Sequence, residues 1–256
     1  MPKPPVVDIL MYHSIAHDEV ATAIAPEIFK EQMDAIEESG VPVITLDDYV
    51  SARNGEKELA DHSVIITFDD AFVDFRDEAL PVLKDKGFDA IVYVPTGCVG
   101  THENWRGALE PPREIMTWSD ITMLSNCGIQ LGSHTITHPD LNELKSLDLI
   151  EEVRRSKSTL EDRLGQEIRH FAPPYGIADY FARTAIERLY QTSVGTSFAQ
   201  ATLESDIIDL PRLEMFYFKK KKRWSEHLAG RGAGYMARRR TLRQAREAVN
   251  RPWERV

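Results

Sequence analysis

Apolar residues fall into two rhythms along this chain. Short, nearly unbroken apolar runs occur at residues 6–11, 64–66, 90–94, 129–132 and 168–171. Runs of this kind, rich in β-branched residues and bounded by polar ones, predict strands buried on both faces, as in a parallel sheet. Residues 41–44 read as a further short strand, with Pro42 tolerable near its start. Between the runs the apolar positions recur at helical spacing. Pro26 opens a helix over 26–38 with Phe29, Met33 and Ile36 on one face and Gly40 as its stop. Further helices are predicted over 46–52, 74–86, 119–126, 146–164 and 179–189. In the second of these Leu80 and Leu83 face inward, Gly87 ends the helix and Pro81 should kink or split it. Ser119 is the expected N-cap of the third. The fourth sets Leu147, Ile150, Val153, Leu160 and Leu164 at near-helical spacing before Gly165. Two further segments follow, at 192–195 and 207–215.

Strand and helix alternate about seven times, which predicts an α/β fold, either a parallel barrel or a doubly wound sheet. The unusual side chains all fall at strand ends: His13, Asp69-Asp70, His134 with His138, and Pro173-Pro174-Tyr175. One rim then collects the chemistry, and that favours a barrel. Residues 99–116 carry glycine and proline but little periodicity, and read as a long loop over this edge, the kind of loop that often binds substrate.

Charge divides the chain. The net charge of −10 combines +10 in residues 219–256 (13 Lys or Arg against 3 Asp or Glu) with −20 in the other 218 residues. Residues 1–218 are therefore expected to form one domain and 219–256 a basic C-terminal tail. The cationic run Lys219 to Arg223 beside Phe216, Tyr217, Phe218 and Trp224, with a helix expected from Tyr235 to Val249, suggests attachment to an anionic membrane surface. A solvated tail, or one folded onto the acidic body, is the alternative. Nucleic acid is not expected as a partner, since the acidic body would repel it. Cys98 and Cys127 make no disulfide framework. With no apolar run long enough to span a bilayer and no leader evident, the expected location is cytoplasmic, with the basic tail suited to a peripheral position at the inner face of the membrane.

A buried strand that ends in Asp69-Asp70 delivers two like charges to one edge, an arrangement comfortable only beside a cation or with one carboxyl protonated. His134 and His138 offer the cation's site: four residues apart, their imidazoles share a direction if the segment is a helical turn. Two histidines and one carboxylate make a three-ligand site with an open position, the pattern of a catalytic metal, and the second carboxylate is left as a base.

Thr67-Phe68-Asp69-Asp70, Ser133-His134-Thr135-Ile136-Thr137-His138 and Phe171-Ala172-Pro173-Pro174-Tyr175-Gly176 resemble the first three motifs of the polysaccharide deacetylases, carbohydrate esterase family 4. Leu10-Met11-Tyr12-His13 and Val94-Pro95-Thr96-Gly97 resemble segments of its poly-N-acetylglucosamine deacetylase branch. The resemblance runs in order from Asp8 to Met215. It implies a distorted, NodB-like (β/α) barrel of about seven units and removal of an N-acetyl group from an amino sugar. It also implies Asp69 as general base, Asp70, His134 and His138 as ligands of zinc (or of cobalt or nickel), and the Tyr175 backbone N–H as oxyanion donor. His13, the histidine of the Tyr-His motif, is the implied general acid.

Three departures from the family pattern stand out. Ala172 sits where the family has an arginine that orients the base, Ala71 where it has glycine, and no late Leu-x-His motif is recognisable. Arg212 is a candidate replacement for the missing cation. Pro174, Tyr175, Trp118 and Arg212 are the candidate substrate contacts. The missing arginine and acid motif leave room for a related amide hydrolase acting on a cyclic imide or ureide. A non-catalytic glycan-binding domain is a third reading.

Overall fold

The computed structural model describes residues 4–247. Strand β1 (Val6–Tyr12) leads to helices α1 (Pro26–Ser39) and α2 (Leu46–Arg53). Then come β2 (His62–Phe68), α3 (Leu80–Lys86), β3 (Ile91–Val94), α4 (Trp118–Asn126), β4 (Gln130–Ser133) and α5 (Ser146–Leu164). The chain continues through β5 (His170–Phe171), α6 (Tyr180–Glu187), β6 (Thr192–Ser193), β7 (Ala201–Thr202), β8 (Leu213–Glu214), α7 (Lys221–Glu226) and α8 (Ala233–Glu247). One curled sheet runs in the order β6-β5-β4-β3-β2-β1-β7, with β8 also paired to β1. Every pairing is parallel except that of β1 with β7. The segment before β8 links the two sides. Ser193 N–H donates to Ile207 O and Gly195 N–H to Leu210 O, and a few residues on Leu213 and Glu214 pair with Leu10 and Met11. The result is the expected distorted barrel.

The pleat sorts the strand residues into two cores. Leu10, Tyr12, Val64, Ile66, Phe68, Val92 and Val94 point outward and pack beneath the helices. Their neighbours Val7, Ile9, Ile65, Ile91 and Tyr93 point inward and, with Ala172, Val194 and Leu210, fill the barrel. Alternation with both sets buried is why these strands read as unbroken apolar runs. Inside, Gly132 makes room for Tyr93, whose ring would lie 2.4 Å from any Cβ there.

Several local expectations need correction. Residues 41–44 form a single bridge, Val43 to Val64, because Pro42 offers no N–H for a ladder. Helix α4 is capped by Thr117, not Ser119, in a reciprocal box with Asp120. Segment 74–86 does split at the proline: one wide π-turn, Phe75–Ala79, precedes α3, and Pro81 sits in the first turn of α3. On α5 the inward face is Leu149, Val153, Ser156 and Leu160, while Leu147 (81% exposed) and Ile150 (41%) face out.

The basic C-terminal segment is not detached. Trp224 is fully buried and its indole N–H donates to Gln32 O on α1. Phe218, Leu228 and Met236 are buried in the outer core. His227 reaches Asp8 at the start of β1. The aromatic residues assigned to a membrane surface thus turn inward or carry cations on their faces, as Lys219 does over Phe216. Val249, the expected end of the last helix, lies outside the described residues. No helix among the described residues is long and apolar enough to cross a membrane.

Candidate active site

β1, β2, β4 and β5 end along one edge of the sheet, with β3 between β2 and β4, and their following turns carry the expected residues to one rim. Asp70, Ala71, Thr135, His138 and Tyr175 all have left-handed backbone, with φ between 56° and 72°. They are the only such non-glycine residues among the described ones, and they lie in the turns after β2, β4 and β5. Each costs roughly 1–2 kcal/mol for an L-residue, so the strain is concentrated where side chains must be aimed. The His134–His138 segment is therefore a strained turn and not the helical turn that the spacing suggested. The turn is held by Glu152 on α5, whose carboxylate accepts from the Ile136 and Thr137 N–H groups at 2.7 and 3.0 Å.

Asp70, His134 and His138 are all at most 5% exposed and converge. Oδ1 of Asp70 stands 3.3 Å from His134 Nε2 and 3.2 Å from His138 Nε2, yet has no hydrogen-bond partner. Ligands at roughly 2.0–2.2 Å around a tetrahedral ion stand roughly 3.3–3.5 Å apart, so the spacing fits a divalent cation better than a hydrogen bond. The donor set agrees. His134 Nδ1 lies 2.6 Å from Ala172 O, which leaves Nε2 bare and facing Asp70. Burial would raise the Asp70 carboxyl, but the two imidazoles outweigh it and hold it well below the usual range.

A second trio invites comparison. Asp8, His62 and His227 also lie close enough to share an ion. Here each Nε2 is 2.7 Å from the same Asp8 oxygen, the distance of a charge-assisted hydrogen bond. Gln200 donates to the other oxygen at 2.9 Å. This trio reads as a buried clamp on the C-terminal segment.

Asp69 points into the barrel mouth, where Arg212 grips it with two hydrogen bonds of 2.8 Å. The guanidinium also donates to Gly195 O and Thr67 Oγ1. It is 1% exposed and lies under Asp69, not in the cleft wall. Burial pushes Asp69 up, but the Arg212 charge and hydrogen bonds prevail and hold it below the usual range. His13 Nε2 is 3.8 Å from Asp69. Burial outweighs the two nearby carboxylates and lowers its pKa below the usual imidazole value.

Above these groups lies a cleft of about 200 Å³ whose walls include His13, Asp69, Asp70, Trp105, His134, His138 and Tyr175. Trp105 stacks on His138 at 4.1 Å, and the Tyr175 ring meets it edge-on at 4.9 Å. Of the expected substrate contacts, Tyr175 lines the cleft. Pro174 is buried behind it, and Trp118 stands apart beneath Arg163 on the helical layer.

Residues 56–194 match the sequence profile of the polysaccharide deacetylases. The chain belongs to the polysaccharide deacetylase family. YxkH of Bacillus subtilis (strain 168), whose name assigns it provisionally to the same family, is 26% identical over 214 residues, 83% of this chain and 72% of its own. Two solved structures share the fold. The deacetylase PplD of Streptococcus pyogenes, solved with acetate, superposes with a TM-score of 0.72 at 24% identity, over 82% of this chain and 92% of its own. IcaB of Ammonifex degensii gives 0.70 at 21%, over 90% and 98%.

Several residues that shape this family member's site escape the sequence reading. Trp105 and Arg113 come from the long loop, where Arg113 pairs with the buried Glu103 and lies 4.0 Å over Phe72. Glu152 looked like one acid on a solvated helix face. Glu214, at the cleft wall, is pushed up to about 7 by burial against the pull of Arg243 and Arg212. Of these, Trp105 and Arg113 lie in the long loop that the sequence already points to as a substrate loop.

Proposed function

We propose that the protein hydrolyses the N-acetyl group of an amino sugar in a glycan or glycan precursor, releasing acetate and the free amine. The observation that carries this reading is the Asp70–His134–His138 trio at metal-ligand spacing beside a second carboxylate, Asp69, locked by Arg212. A divalent ion held by Asp70, His134 and His138, with zinc the first choice and cobalt or nickel as substitutes, would polarise the acetyl carbonyl and acidify a water.

The chain's own residues supply the rest. Asp69 stays ionised beside Arg212 and accepts a proton from the attacking water. Arg212 fixes both oxygens of Asp69, so the lone pair is aimed before substrate arrives. The Tyr175 backbone, held at φ 60°, offers its N–H to the oxyanion that forms as water oxygen bonds to the carbonyl carbon. The C–N bond then breaks, and the leaving nitrogen must be protonated. His13 is 3.8 Å from Asp69, within reach of a small rotation, and burial, which lowers its pKa, makes it quick to surrender a proton once it holds one. His13 therefore relays the proton to the amine. Trp105 and Tyr175 supply flat apolar surface for the sugar ring.

The test is acetate release from N-acetylglucosamine oligomers by zinc-loaded protein, with hydantoin-type cyclic amides assayed in parallel. Acetate release is expected, together with a loss of roughly 10²–10⁴-fold in Asp69→Asn at unchanged metal content. Ring opening of the cyclic amides without acetate release would replace this reading with the imidase one.

A further inference from the structure

Helix α8 lies outside the matched segment 56–194, yet it forms a wall of the cleft through Arg239 and Arg243. These residues are four apart and so share one helix face. Their helix is fixed to the barrel by buried groups: Trp224 against α1, His227 on Asp8, and Met236 in the outer core. An arginine on an anchored helix is a placed charge.

The cleft's cations differ in what neutralises them. Arg106 is paired with Glu143 at 2.8 Å, and Arg113 with Glu103 at 2.8 Å. Arg239 has no carboxylate within ion-pair distance among the described residues. Its Nε–H donates to Tyr235 Oη at 2.9 Å, and its guanidinium lies 4.7 Å over the Tyr217 ring. Tyr235 is held in turn by its own bond to Tyr217 O at 2.6 Å. The fork is thus pre-oriented by two tyrosines while its charge finds no acid among the described residues. Arg243 sits near Glu214, whose carboxyl burial pushes up to about 7 against the pull of Arg243 and Arg212. A planar guanidinium held in this way matches the paired oxygens of a phosphate or carboxylate.

We propose that Arg239, assisted by Arg243, is a binding subsite for an anionic group, phosphate or carboxylate, carried by the substrate next to its acetylated sugar. The inference rests on the deacetylase reading and narrows it to acidic glycans or to sugars linked through phosphate. The basic C-terminal segment then serves the substrate and not a membrane.

The experiment compares kcat/KM of zinc-loaded full-length protein on three substrates: a neutral N-acetylglucosamine pentamer, UDP-N-acetylglucosamine, and an oligosaccharide of N-acetylglucosamine and glucuronic acid. At least one anionic substrate is expected to exceed the pentamer by tenfold or more, and which one it is names the source of the anion. That ratio should fall about tenfold in Arg239→Gln, recover in part in Arg239→Lys, and shrink as salt rises. Calorimetric titration with inorganic pyrophosphate reads the subsite without turnover, and binding should weaken in Arg239→Gln while the melting temperature holds. No acetate from any substrate would overturn the deacetylase reading. Equal kcat/KM on neutral and anionic substrates, or pyrophosphate binding unchanged by Arg239→Gln, would overturn the subsite and leave the tyrosine-stacked arginine a packing residue only.

Discussion

Among single residues, Arg212 shows most clearly how a missing motif residue is replaced. Ala172 is a small residue of the inner core, and Arg212, from the segment that leads into β8, meets Asp69 instead. Its charge is fully buried, so each partner depends on the other. Arg212→Met should leave Asp69 as an unpaired buried charge and cost about 3–5 kcal/mol of stability, as well as most activity. The double variant Asp69→Asn with Arg212→Met should be more stable than Arg212→Met alone, because no lone charge remains. Urea unfolding measures all three, and a double variant less stable than the single would contradict the account. The acids and histidines of the site were legible because their types and strand-end positions are unusual. Arg212 was legible only as a candidate, since nothing in a linear Leu-Pro-Arg-Leu shows that its side chain runs beneath a carboxylate 143 residues away. Ala71 is the instructive departure. Its φ of 56° explains why glycine suits that turn, and the sequence alone does not reveal that alanine is held there under strain.

The elements that the chain's apolar rhythm predicted well are those with long periodic faces or fully buried runs: β1 to β4, α1 and α5. Those it missed are short and owe their form to neighbours. β7 has two residues and exists because β1 offers it an edge at Val6 and Val7. The outward turn of Leu147 arises at the first turn of α5, where only one side meets the sheet. The C-terminal segment was read as a tail because its charge is local and its anchors are scattered. Its main polar anchor, His227, is paired with Asp8 across 219 positions. Burial raises the Asp8 carboxyl, but the hydrogen bonds from His227 and His62 prevail and lower it from 3.8 to about 2. A depressed carboxyl adds stability above its unfolded value and loses it as pH falls through its folded value. His227→Ala should therefore cost about 2–4 kcal/mol at pH 7, from the lost charged hydrogen bond and the space left behind. The deficit should narrow as pH falls from 3.8 towards 2. Limited proteolysis within residues 219–247 should also quicken. A variant as stable and as resistant as the parent would show that the clamp holds nothing.

In the whole molecule, a barrel of parallel strands brings four βα turns to one mouth, and a folded-back basic segment walls one side of it. The acidic body and the basic segment thus both contribute residues to the lining of one cleft. Strand β1 joins these parts. It leads into His13 at the mouth, pairs with β8 beside Arg212, and holds the C-terminal segment at its opposite end through Asp8. Asp70, His134 and His138 are expected to hold a divalent ion on which amide hydrolysis depends. The most direct measurement is metal content and acetate release on the same preparation, before chelation, after it, and after zinc or cobalt is restored. The account predicts one ion per chain, loss of release on chelation, recovery on readdition, and no retained metal in Asp70→Ala. Undiminished acetate release from protein with no bound metal would contradict it.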